Sequence, residues 1–250
     1  MSVALARPGV ALAVLCVVMV AAAAVIYRVT AIGRPIAVPA AALRGATQLA
    51  VVSAVLVAAL SQVWSALVVL AVMFVAAGFT VFRRADAGRS GLLLALALIA
   101  GTGIVVPMML ISGVVPVAGV ALVPVGGIIL GGSMSATSLS ARRALTALGE
   151  RHGEVEAALS LGMSERDSRL EVIRESAGDA LLPGLDQTRT VGLVTLPGAF
   201  VGVLLASGSA VQAGAVQILV LAGLLLAQTC SVALAVELIA RGFVQREPKA

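Results

Sequence analysis

Side chains able to do acid–base, nucleophilic or metal chemistry are scarce in this chain of 250 residues, which holds one His, two Cys, a single lysine and 12 Asp/Glu. His152 lies in a polar, turn-like stretch, and no Ser/His/Asp or Cys/His constellation can be assembled without it; it reads as a solvated residue. Cys16 and Cys230 lie inside apolar runs, so neither a disulfide nor a C-x-x-C metal site follows from them. Lys249 is the only lysine and no G-x-x-x-x-G-K-[ST] occurs, so the chain cannot supply a P-loop. Catalysis by this chain is not expected.

Ion-coupled carriage would require acidic groups within membrane spans. Here the acids sit between the apolar runs or near a helix end, as with Glu237, which precedes Arg241 by four residues and can pair with it at the interface. A pathway without its own energy source points to a partner that supplies one. Polar and backbone irregularities do occur within the apolar runs. Residues 126–137 combine four glycines with Ser133, Ser135 and Thr137 around Met134, a pattern suited to close helix packing or to a lined pathway. Thr195, Pro197, Gly198 and Gly202 place a helix break inside another run, tolerated where freed carbonyls face protein or a polar cavity. Met108-Met109, next to Pro107, reads as packing rather than a soft-metal site.

The elements that must hold these residues are membrane helices. Apolar residues make up 60% of the chain and charged residues 12%, far from the roughly 25% charge of soluble domains. The expected architecture is all-α: a polytopic membrane domain over 1–250 with about seven spans, near 9–28, 45–61, 64–82, 91–111, 119–139, 190–207 and 213–240. The first run is taken as an uncleaved helix rather than a signal peptide, because its apolar stretch is too long and is followed by Arg28, Arg34 and Arg44. The 38 residues 45–82 carry no charge, so a tight turn is expected near 61–65. Polar segments 28–44, 83–90, 140–189 and 241–250 hold 16 of the 17 basic residues, and seven spans put all four on one side. The positive-inside rule then places the N-terminus outside and the C-terminus in the cytoplasm. The basic residues are mostly isolated Arg at the ends of apolar runs, with few aromatics, which argues against nucleic-acid binding.

The 140–189 segment is the one soluble-looking part. Between Arg142 and Arg189 it carries seven Arg and nine Asp/Glu, too mixed for a lipid-binding basic patch. A short helix is expected over 154–161, stopped by Gly162. Ser164 with Asp167 reads as a variant capping box for a longer helix. Leu170, Ile173, Ala177 and Leu181 recur on one face of it, and Leu182-Pro183-Gly184 is expected to end it.

Glu156-Ala157-Ala158-Leu159-Ser160-Leu161-Gly162 has the EAA-x3-G form found in permease subunits of ABC transporters. Together with GGIILGGSMSATSL (126–139), EVEAALSLG (154–162), TRTVGLVTLPG (188–198) and VQI (216–218), it makes the chain resemble the FetB/YbbM family of ABC permeases over essentially its whole length. Bacterial members of that family are associated with iron export and plant relatives with aluminium tolerance. The resemblance implies that Glu154, Glu156, Ala157, Ala158, Leu161 and Gly162 form the helix that docks into a cytoplasmic ATPase. It also aligns Asp186, Arg189, Thr190 and Gly192 with the start of the sixth span. Two departures bear on the metal: Gly132 stands where members usually carry Asn, and Ala199-Phe200 where Met-Met is common. Those changes remove an amide and two thioethers, groups that suit soft metals. By resemblance, the chain is expected to be a non-enzymatic permease in the plasma (bacterial inner) membrane. It would export a metal ion such as iron, pair with itself, and work with two ATPase subunits that carry the ATP and Mg, binding no cofactor of its own. An ATPase-independent carrier and a non-transporting scaffold for an ATPase-like partner are the alternatives.

Overall fold

The computed structural model describes residues 9–59, 62–85 and 87–246. Arg7, Asp86 and Lys249 lie outside the described residues, as do the first residue of the expected 61–65 turn and the last two of the expected 45–61 span. The described chain is helical, its sole β feature an isolated bridge between Val191 and Thr195. It divides into two compact units, Met1–Ala59 and Leu60–Ala250.

In the first unit α1 (Val10–Val29) packs against α2 (Ala37–Ala59). Helix α1 has 20 residues and buries none of them, so Val, Leu and Met are presented on every face. A helix apolar all round needs a hydrocarbon surround, and 20 residues reach about 30 Å, the thickness of the bilayer core. Arg28 sits in the last turn, where a cation complements the helix C-terminus. Pro39 falls in the first turn of α2, where its missing N–H breaks no hydrogen bond.

The second unit runs through α3 (Val63–Arg84), α4 (Leu93–Ile111), α5 (Gly119–Glu150), α6 (His152–Ser160), α7 (Glu165–Gly178), α8 (Leu182–Thr190), α9 (Gly198–Ser207) and α10 (Ala210–Ala240). Helices α3, α4, α5 and α10 pack on one another as the central bundle. Small residues set the approach, as expected where lipid gives no hydrophobic drive between helices. A Cβ added at Gly101 of α4 would collide with the Ala227 carbonyl and the Ser231 hydroxyl of α10. One at Gly223 of α10 would meet the Met109 side chain at 3.1 Å. Hydroxyls inside the bundle bond back one turn: Thr102 donates to Leu98 O, Thr137 to Ser133 O and Ser138 to Met134 O, each at 2.7 Å.

Among the described residues, five helical stretches are long and apolar enough to cross a membrane: Val10–Val29, Val63–Arg84, Ser90–Ile111, Ala121–Glu150 and Ala210–Ala240. The expected sixth span, 190–207, is not one helix. Helix α8 stops at Thr190, Gly192 takes φ +84, and Gly192 N–H bonds to Thr195 O at 2.9 Å in a tight loop. Pro197 then stands at the N-cap of α9, whose 10 residues reach only about 15 Å. A second difference concerns Pro183. Rather than ending the preceding helix, it lies in the first turn of α8, where proline is favoured; α7 already stops at Gly178 and a 3-10 turn, Asp179–Leu181, follows.

The 32 residues of α5 span about 48 Å, well beyond a hydrocarbon core of about 30 Å. Its last turns are covered by α7, which packs against both this end of α5 and the end of α10. One apolar cluster runs without interruption from Val81 and Leu98 of the bundle, through Ala141 and Leu145 of α5 and Ile239 of α10, into Val155 of α6 and Val172, Ile173 and Ala177 of α7. The soluble-looking segment is thus part of the same core as the membrane helices.

A candidate partner-docking surface at one end of the bundle

Arg151, at φ -112 and ψ 32, joins α5 to α6 and ties three elements together. Its Nε donates to Glu154 Oε1 at 2.6 Å, and its Nη1 donates to Val172 O of α7 at 3.0 Å. The guanidinium hydrogen bond holds the Glu154 carboxyl below its ordinary range. Val155 alone of α6 is buried, so the rest of this helix faces outward.

Helix α6 ends in a Schellman turn. Gly162 N–H bonds to Leu159 O at 2.9 Å and Met163 N–H to Ala158 O at 3.2 Å. Gly162 sits at φ +89, a region that costs a residue with a Cβ about 1–2 kcal/mol. Glycine is required there by the backbone, since nothing lies within 4 Å of where a Cβ would be. Around this turn Leu159, Leu161 and Met163 are exposed, Leu161 to 85%. Glu156 and Ala157 are exposed beside them, and Ala158 is half-buried. Glu156 lies 3.4 Å from His152, an attraction present only when the imidazole is protonated. Exposed apolar side chains thus cluster at this turn beside charged ones, which makes it a candidate contact surface.

The turn leads directly into a fastening. Ser164 caps α7 by accepting from Asp167 N–H at 3.1 Å, while its hydroxyl donates to Asp167 Oδ2 at 2.7 Å. Arg166 spans from α7 to α10, its Nε on Glu237 Oε1 at 2.8 Å and its Nη2 on Glu237 Oε2 at 2.7 Å. The same guanidinium reaches Asp167 at 2.7 Å, and Arg241 donates to Glu237 Oε1 at 2.6 Å. Asp167 is held below the ordinary carboxylate range by the Ser164 hydroxyl and then by Arg166. Arg166, hydrogen-bonded to Glu237 and Asp167, is pushed further up. Two more ties complete the assembly: Arg143 of α5 lies 3.3 Å from Asp179, and Ser90 Oγ donates to Gln245 O at 3.2 Å. The connector between α3 and α4, the ends of α5 and α10, and the α6–α7 segment therefore gather at one end of this unit.

The pathway candidates are placed apart. Ser133 and Thr137 are fully buried in the bundle, and Met134 packs against its core. Thr195, Gly198 and Gly202 are exposed and Pro197 half-buried, on the 191–197 loop and on α9, which leans on α10. Of the two adjacent methionines, Met109 is buried against Gly223 and Met108 is exposed. Among the described residues no group of three His, Cys, Asp or Glu could hold a metal. The Glu237–Arg241 pair was expected from its spacing, but Arg166, 71 residues away, was not; no local pattern carries that contact.

Long apolar helices, close glycine packing and a charged segment built into the end of the bundle define a polytopic all-α membrane protein. The chain belongs to the family described as Uncharacterised protein family (UPF0014), which matches residues 10–244. It is similar to the UPF0014 membrane protein STAR2 of Oryza sativa subsp. japonica, 32% identical over 75% of this chain and 67% of that protein. Similarity to the protein ALUMINUM SENSITIVE 3 of Arabidopsis thaliana is 30% over 71% of this chain and 66% of the relative. The probable iron export permease protein FetB of Escherichia coli (strain K12) is 31% identical over 59% of this chain and 57% of its own length. The chain thus spans about two thirds of its plant relatives and less of the bacterial one. No solved structure matches it.

Proposed function

We propose that the chain is the permease subunit of an ATP-driven transporter, coupled to a separate cytoplasmic ABC ATPase through the 154–162 helix. The observation that carries this reading is the mechanical continuity of that helix with the bundle. A partner gripping Leu159, Leu161 and Met163 would pull on a turn locked to α7 by Arg151, and on α10 through Arg166 and Glu237. Closure of the ATPases on ATP would then rotate the ends of α5 and α10 together and switch access to the bundle. Two permeases with two ATPases is the symmetric solution. The gathered basic end faces the cytoplasm of a plasma membrane, N-terminus outside, as the excess of Arg there favours. Export of a metal such as iron is supported by the name of the bacterial relative.

Co-purification with the cognate ABC ATPase and ATP-driven flux of a metal panel in proteoliposomes test the reading. Glu156→Lys and Gly162→Asp are expected to abolish both while leaving the permease in the membrane. Intact ATPase binding and flux in both variants would reject the docking assignment, and flux without any ATPase would establish an independent carrier.

A further inference from the structure

The broken sixth span leaves polar backbone at a depth where lipid cannot serve it. Helix α9 leans on α10 and joins it through the Gly208 turn, so its 10 residues put Gly198 about 15 Å in from the start of α10. On the other side of the break, a Cβ at Gly184 of α8 would collide with Gln228, which lies about 27 Å along α10. The 191–197 loop therefore lies between these levels, beside a stretch of α10 that carries no charge from Ala210 to Val236. Its N–H groups at 192–195 turn back onto Thr190 O and Thr195 O, but among the described residues no donor reaches the carbonyls of 191–194. Pro197 supplies no side-chain cap, so the Gly198, Ala199 and Phe200 N–H groups lack intrahelical partners. Irregular backbone of this kind is tolerated in a bilayer only where protein or enclosed water covers it. Yet Leu193, Val194 and Leu196 are exposed, Leu193 to 91%, and α9 buries none of its residues. Gly198, Gly202 and Ala206 follow one another along an exposed side of α9, and nothing lies within 4 Å of a Cβ at either glycine.

We infer that the 191–197 loop, with the side of α9 that carries Gly198, Gly202 and Ala206, is the surface on which two copies of this chain meet about a two-fold axis. Complementarity selects a second copy. The N-terminus of α9 carries partial positive charge and the loop carbonyls partial negative charge, and both lie within residues 191–200. A two-fold axis sets the donors of each copy against the acceptors of the other, directly or through water trapped between them. Small residues spaced four apart let two such helices approach closely, which is how helices associate in lipid. A plain apolar helix would cover the same surface but offer its backbone groups no hydrogen bonds. The inference rests on the permease reading above for pairing as such, and the broken span adds where the copies touch.

The test uses the full chain in lipid vesicles without ATPase, in a Cys16→Ser, Cys230→Ser background. Leu193→Cys, Ala206→Cys and, as an exposed reference on α3, Val75→Cys are each oxidised with copper phenanthroline. A disulfide needs Cα atoms within about 7 Å, so whichever of positions 193 and 206 lies nearer the axis is expected to link copies into dimers. That site should react about tenfold faster than Val75→Cys, because a held contact raises the effective concentration of the two thiols, and its yield should resist dilution with lipid. Gly202→Leu should cut this crosslinking by about tenfold while leaving helix content intact, since a Cβ there meets nothing in its own chain. No crosslink from either site, or rates equal to that of Val75→Cys and falling on dilution, would overturn the proposal. A dimer linked only through Val75→Cys would reject this surface and leave pairing intact, whereas a monomer would remove both. Failed ATPase binding with the crosslinks present would reject the coupling role of the 154–162 helix and leave the interface standing.

Discussion

Glu237 is the residue on which two elements converge, and its partners divide by how far apart they are in the chain. Arg241 lies one helical turn away and forms an i,i+4 pair that spacing alone announces. Arg166 comes from another helix and makes the bidentate contact, with the fixed fork geometry that distinguishes Arg from Lys. If this contact transmits force from the docking turn to α10, Glu237→Gln should weaken the link by about 1 kcal/mol and lower transport per ATP hydrolysed more than ATP hydrolysis itself. The exchange Arg166→Glu with Glu237→Arg should restore much of the lost coupling. Equal loss in the single and the exchanged variants would mean that the pair only stabilises the fold. Gly162 was legible for a different reason. A helix of good formers stopped by glycine predicts the left-handed cap that is observed at φ +89.

Among the elements, α7 owes its start to a local device and its position to distant ones. Ser164→Ala removes the cap and should cost about 1 kcal/mol, read as faster amide exchange at the first turn of α7. Asp167 and Glu154 both have lowered carboxyl pKa values, held down by the Ser164 hydroxyl and by Arg151 respectively. A depressed folded value contributes stability above the unfolded pKa of about 4 and loses it as pH falls through the folded value. Amide protection of 151–178 should therefore stay flat from pH 8 to 5 and fall in more acidic solution. Protection that instead fell between pH 8 and 6 would contradict this assignment. The contact of α4 with α10 has no room at Gly101, where a Cβ meets both backbone and a hydroxyl. Gly101→Leu should force the helices apart at a cost of about 1–3 kcal/mol or more, seen as a lower melting temperature in detergent. The face of α7 followed from its period, and Ile173 and Ala177 are buried as that period requires. Its end did not follow, because proline stops one helix and starts another with equal ease, and Asp179–Leu181 decides between them by turning the chain.

For the whole molecule, the sidedness of charge has a direct test. In a background with Cys16→Ser and Cys230→Ser, Ser209→Cys should react with an impermeant external thiol reagent in intact cells. Ser160→Cys should react only after permeabilisation. The opposite pattern would invert the proposed orientation. The same pair of sites probes the ends of the second unit, since residue 160 closes α6 and residue 209 caps α10 at its other terminus.

The sequence by itself determined that the chain is a membrane protein, where five of its long apolar helices lie, and which segment between them is polar. Those properties are local: twenty consecutive apolar residues need a bilayer wherever they sit, and a capping serine or a stopping glycine acts within one turn. Tertiary structure decided what depends on residues far apart in the chain. It broke the expected sixth span into a loop and a 10-residue helix, tied Arg166 to Glu237, ran one apolar core from Val81 into Ile173, and set Gln228 between Gly132 and Gly184. Each of these outcomes is a matter of packing in three dimensions, where a missing side chain on one helix is the space another helix uses.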